Sequence, residues 1–166
     1  HKKISHQLLP KDMGKMEEVN KKVAEMNKIT GISAKCYVEQ GKNYGRIPNR
    51  VSNPEDIIYN TTDGTPWMIR EIYEYIMYTG DMEYAKEIYP VVKLAIESAK
   101  KNYVDGNGFL THADADTWMD AKVDEKPWSP RGNMANDIQA LWFITLRSGS
   151  YLAEINSDKE KKAEWE

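Results

Sequence analysis

A single cysteine, Cys36, stands in a chain of 166 residues, so no intrachain disulfide framework can form. A lone thiol of this kind reads first as a small core residue. No apolar run approaches the roughly twenty residues that cross a bilayer, which excludes a transmembrane helix and predicts no membrane partner. Charge of one sign is not in excess either: 23 Lys and Arg face 26 Asp and Glu, for a net charge of −3. A nucleic-acid surface needs a basic stripe, so that class falls away too. Strand-rich runs and repeats of fixed period are missing, and no signal-peptide pattern follows His1.

What is present is helical periodicity. The length suggests one domain, and 40 % hydrophobic residues are enough for a core if well patterned. In "KDMGKMEEVNKKVAEMN", Met16, Val19, Val23 and Met26 recur at helical steps on a charged background. A short helix is a weaker expectation within "KITGISAKCYVEQGKNYG", which Gly31, Gly41 and Gly45 interrupt. Residues 45–64, with Pro and Asn and no period, read as a long ordered loop. "TPWMIREIYEYIMYTGD" is the clearest helix. Thr65 is its expected N-cap, Pro66 its first residue, and Ile69, Ile72, Tyr73, Ile76 and Met77 its stripe. Gly80 suits the left-handed position past its end, and Asp81 can cap the next helix. That helix carries Ile88, Val91, Val92, Ala95, Ile96 and Ala99 on one side, with Pro90 expected to kink or split it. The short link predicts an antiparallel pair. "DGNGF" reads as a turn; Asp105 and Asn107 would fit half of a calcium loop, but Phe109 takes the third ligand position, and no metal is expected. A last helix follows, with Ile138, Leu141, Trp142, Thr145 and Leu146 as its stripe and Gly149 as a weak point.

The chemistry concentrates in "HADADTWMDAKVDEKPWSPRGN", residues 112–133. Read as extended, Asp114, Asp116, Trp118 and Asp120 share one side, and Ala113, Ala115, Thr117 and Met119 the other. Acids beside an indole suit a sugar, whose apolar face lies on the ring while its hydroxyls donate to carboxylates. Glycoside hydrolysis needs two carboxyl groups, one as acid and one as base or nucleophile. A carboxyl next to an indole loses hydration and holds its proton longer, as an acid catalyst must. An acidic solvated loop with a core-plugging Trp fits the same residues. Asp63 and Trp67 in "YNTTDGTPWM" fit equally a helix cap and a core ring, and Arg131 in "SPRGN" an ordinary turn.

In order along the chain, "GRIPNR", "YNTTDGTPW", "YEYIMYTGD", "DGNGFLTHADADTWMDAK", "PWSPRGN" and "ANDIQALW" resemble the amylo-α-1,6-glucosidase domain of glycogen debranching enzymes. The family pattern runs from "YNT-x-DA-x-x-W" through "TWMDA" and "TPR-x-G" to "EINALW". The resemblance covers Gly45 to Trp142 and departs at Gly64, at "SPRGN" and at Gln139. It implies an all-α fold, part of an (α/α)6 toroid of helix hairpins with long active-site loops. It also implies inverting hydrolysis of α-1,6-linked glucose at branch points of a glycogen-like α-glucan, without a cofactor. Asp120 would be the general acid and Asp63 a hydroxyl anchor. Trp118, Trp67 and Arg131 would line the sugar site, with Asn60 and Asp116 completing the expected substrate-binding set. The base would be a Glu on a later loop, which no Glu in 1–166 matches.

The ends read as cut, and residues 1–166 as one segment of a larger catalytic domain incomplete at both ends. "SDKEKKAEWE" reads as a helix in mid-course with a solvated acidic face. A fragment of this kind is expected to be inactive alone and to dimerise through exposed inner helices. The expected partner is glycogen or limit dextrin, and the expected compartment cytoplasmic. Two rivals stand beside this reading: another toroid carbohydrate enzyme, trehalase-like, glucoamylase-like or a lyase, and a non-catalytic helical scaffold.

Overall fold

The computed structural model describes residues 43–53 and 56–166. The expected helix over 11–27, the doubtful one over 28–42 and Cys36 lie outside the described residues.

A long helix pair forms the base. Helix α1 spans Gly64–Thr79 and α2 spans Met82–Asn102. Gly80 closes α1 in the left-handed region at φ 70°, its N–H donating to the Ile76 carbonyl at 2.8 Å. Asp81 then caps α2 by accepting from the Tyr84 N–H at 2.9 Å, as the sequence predicts. The link is so short that α2 must fold back along α1, and Tyr75 meets Tyr84 edge to face at 5.3 Å between ring centres. Pro90 does not split α2, which runs unbroken through it with the ring exposed.

Helix α3, Asn136–Ile155, crosses both. Ile69, Ile72 and Ile76 of α1, Ile88, Val92 and Ile96 of α2, and Ile138, Leu141, Trp142 and Leu152 of α3 make one buried cluster. Gly149 is essential to that packing. A Cβ there would sit 2.3 Å from Ile96 Cδ1 and 3.0 Å from Trp165 Cε3. The residue that looks like a weak point in sequence is where helix, neighbour and ring approach most closely.

The tail is not one solvated helix. Ser157, at φ 59°, ends the run, and a separate helix α4 spans Lys159–Trp165. Trp165 is buried in the core cluster. Asp158 caps α4 through the Lys161 N–H at 3.2 Å. It also takes Lys93 Nζ at 2.6 Å and Tyr89 Oη at 2.8 Å, contacts that hold its carboxyl down at about 2. The tail's four Glu residues are exposed, as expected of a solvated face, with Glu154 paired to Lys162 and Glu164 to Lys161.

Two small hairpins also correct the purely helical expectation. Strand β1, Arg50–Asn53, pairs antiparallel with β2, Asp56–Ile58, inside the loop expected to lack strands. Strand β3, Lys122–Val123, pairs with β4, Lys126–Pro127, across Asp124 and Glu125, both at positive φ (49° and 62°). Two successive left-handed residues are what a tight hairpin turn requires. The described chain is otherwise helical, and no helix in it is long and apolar enough to cross a membrane.

Candidate functional site

The site lies where three segments meet: the loop before α1, the loop between α2 and α3, and the first turn of α3. The sequence segment 112–120 does not run extended. It turns at Asp114 and Ala115, with the Asp116 N–H donating to the Ala113 carbonyl at 3.0 Å. The alternation survives in part, since Ala115 and Thr117 are buried while Asp114, Asp116 and Trp118 are not. The turn sends the acids in different directions, and each meets its own partners.

Asp114 faces the "SPRGN" turn and accepts from the backbone N–H groups of Arg131 and of Gly132, the latter at 2.7 Å. Asp116 faces the opposite segment. It takes Arg46 Nη2 at 3.2 Å and Thr62 Oγ1 at 2.9 Å, while its carbonyl accepts the Thr62 N–H at 2.8 Å. The same guanidinium donates to the Thr61 carbonyl at 2.9 Å and lies over the Tyr103 ring at 5.1 Å. Asp116 therefore clamps the two loops together. Gln139, which departs from the family pattern, also serves the scaffold. Its amide accepts from the Leu110 N–H at 3.1 Å and donates to the Leu110 carbonyl at 2.8 Å. His112 is buried and accepts the Ala135 N–H on Nε2 at 2.9 Å, tying the loop's start to that of α3.

Asp120 is half-buried and accepts from Asn60 Nδ2 at 2.9 Å, and Asn60 is itself held by Asn49 at 2.8 Å. Asp63 occupies the N-cap position of α1 but does not cap it. Its backbone is helical (φ −73°, ψ −26°), whereas a capping side chain needs an extended one to reach the N2 or N3 amide. Only its carbonyl joins the helix, accepting the Trp67 N–H at 2.9 Å. Thr65 is not the cap; its hydroxyl accepts the Ile47 N–H at 3.0 Å. The Asp63 side chain is 7 % exposed, and Oδ1 has no hydrogen-bond partner among the described residues. Burial pushes its carboxyl up from the ordinary value, and the charges of Asp137, Asp116 and Asp120 push the same way. Of these three charges, that of Asp120 pushes least.

Neither sugar-platform candidate plugs the core. Trp118 is 66 % exposed, and Trp67 is 43 % exposed with the Arg70 guanidinium 5.1 Å from its ring centre. The polar partner of Trp118 is not Asp120. Its indole N–H donates to Asp137 Oδ2 at 3.0 Å. Asp137 also grips Arg131 with both oxygens, at 3.0 Å on one side and closer on the other. The Arg131 guanidinium beside it, then the indole bond, hold the Asp137 carboxyl down at about 2. Sequence reasoning missed Asp137. An acid in the first turn of a helix reads as a complement to the helix dipole. The available signal was its place under the Glu of the family's "EINALW".

A cleft of about 680 Å3 opens beside these residues. Asn60, Asp114 and Asp116 line it together with Tyr59, Lys122 and Glu125. Asp63, Trp67, Trp118, Asp120 and Arg131 lie outside its wall, so Asn60 is the residue that joins the cleft to Asp120. Among the described residues no group of His, Cys, Asp and Glu is arranged to hold a metal ion.

A search of curated proteins and of solved structures gave no match for this chain. Residues 34–166 match the family model described as amylo-alpha-1,6-glucosidase, which takes in every described element and all the site residues above. On that match the chain belongs to the amylo-alpha-1,6-glucosidase family, a family of glycosidase domains of the glycogen-debranching type.

Proposed function

We propose that this chain forms part of an (α/α)6 toroid that removes α-1,6-linked glucose from branch stubs of a glycogen-like α-glucan. The observation that carries the reading is Asp63: a buried carboxyl at a helix start that makes no cap bond and, among the described residues, leaves an oxygen unpartnered near three other carboxylates. A buried polar atom without a partner costs about 1–3 kcal/mol, so a ligand hydroxyl that satisfies it binds with that advantage. Two largely open indoles nearby supply stacking faces for a pyranose.

In this mechanism the terminal glucose lies against Trp118 and Trp67, and Asp63 takes its hydroxyls. Asn60 holds Asp120 toward the glycosidic oxygen, and Asp120 donates the proton to the leaving oxygen. Arg131 stays paired with Asp137, while Asp116 holds the surrounding loops rather than touching the sugar. A Glu outside residues 1–166 activates a water on the far side of the ring. The acid and base then stand roughly 6.5–9.5 Å apart, with room for that water.

Attack from the face opposite the leaving group inverts the anomeric carbon. Proton NMR during hydrolysis of a branched limit dextrin by the full-length protein should therefore detect β-glucose first, relaxing later to the equilibrium mixture. Initial release of α-glucose would contradict the inverting step.

A further inference from the structure

We propose that Asp137 is a positioning residue that fixes the exposed Trp118 ring as a sugar platform and couples it to Arg131. The platform part rests on the glycosidase reading above; the positioning part does not.

An indole that is 66 % open to solvent has little packing to select its rotamer. A large ring held still in water gives up side-chain entropy, so something specific must retain it. Among the described residues Trp118 has one such tether, its N–H on Asp137 Oδ2 at 3.0 Å. The tether grips the polar edge of the ring and leaves the apolar faces for a ligand.

Asp137 is itself well anchored. It lies in the first turn of α3, where a negative charge is favoured, and the helix is fixed by its buried Ile138, Leu141 and Trp142. The fork of Arg131 holds its second direction, and the backbone N–H of Arg131 is pinned in turn by Asp114. A surface ion pair that merely braced the "SPRGN" turn would need Arg131 alone. The indole on the same carboxylate is unexplained by that role. Asp137 also exerts the largest carboxylate push on Asp63, in keeping with a place near it.

The test reads the indole directly. In the 15N-labelled full-length protein the five indole N–H signals that come from residues 1–166 can be followed, and Trp118→Phe identifies the one from Trp118. Asp137→Ala should move that signal to the position of a water-exposed indole, with solvent exchange about tenfold faster and the other four unmoved. Asp137→Glu, which keeps the carboxylate, should restore part of the shift. Affinity for a branched limit dextrin, measured on the full-length protein, should fall about tenfold in Asp137→Ala and in Trp118→Ala alike. The double variant should be no weaker than Trp118→Ala alone, because Asp137 acts through the ring. An unmoved Trp118 signal, or losses that add in the double variant, would overturn the proposal. If Asp137→Ala fails to fold, Asp137→Asn replaces it; a neutral acceptor should move the signal part of the way, and no movement again overturns the idea. A moved signal with dextrin affinity untouched by Trp118→Ala would defeat the platform role and leave the positioning role standing, whereas no binding of the dextrin by the unaltered protein would defeat the glycosidase reading itself.

Discussion

Asp63 sits at the start of α1 with its carboxyl buried and one oxygen unpartnered among the described residues, and it makes no cap bond. Its folded-state proton affinity is raised, so ionising it works against the fold. The stability associated with its neutral form is complete below the ordinary value of 3.8 and is lost as pH rises through the higher folded value. Asp63→Asn should therefore stabilise the protein at neutral pH, by about 1 kcal/mol, while weakening glucan binding. Melting curves across pH check this: the gain should vanish below about pH 4, and a destabilised variant at pH 7 would contradict it. Asp116 predicts the reverse. It pairs with Arg46 at 3.2 Å, both side chains being mostly buried, and bonds Thr62 as well. Asp116→Ala should cost about 2–4 kcal/mol by leaving the guanidinium without its carboxylate, and the loss should show in thermal unfolding without any sugar present. The sequence did not reveal this division of labour. Asp114, Asp116 and Asp120 look alike in "HADADTWMD", and Asp116 becomes a clamp only because Arg46, 70 residues earlier, folds against it.

At the scale of elements, apolar periodicity made α1, α2 and α3 legible, and Gly80 and Asp81 marked the link between the first two. The two hairpins were not legible, because strands of two to four residues carry no period and rest on turn geometry. Helix α4 and its exposed Glu face were legible, but its buried side was not. Seven residues are too few to show a stripe, and one large ring, Trp165, anchors it. Trp165 packs over Gly149, and that contact sets a sign. Helix propensity alone makes Gly149→Ala favourable by about 1 kcal/mol. The new Cβ, however, would meet buried Ile96 at 2.3 Å and the Trp165 ring at 3.0 Å. Overpacking should win, giving a net loss of about 1–3 kcal/mol in denaturant unfolding. A stabilised variant would mean that α4 yields easily and is not a fixed part of the core.

For the molecule as a whole, a small scaffold of packed helices brings distant loops to one site. The chain's modest net charge of −3 conceals a local excess, with Asp116, Asp120 and Asp137 all acting on Asp63 and Arg46 and Arg131 as counter-charges to Asp116 and Asp137. Family membership was legible from the order of short motifs, and residues 34–166 bear it out. Asp137 was not, since its importance lies in two side chains it holds rather than in its own surroundings in sequence. The account turns on Asp120 as the proton donor. The most direct measurement is the rate of glucose release from a branched limit dextrin by the full-length protein carrying Asp120→Asn. An amide cannot donate that proton while it still accepts from Asn60, so the fold should persist and the rate should fall by about 10³-fold. Glucose release at the unaltered rate would contradict the account.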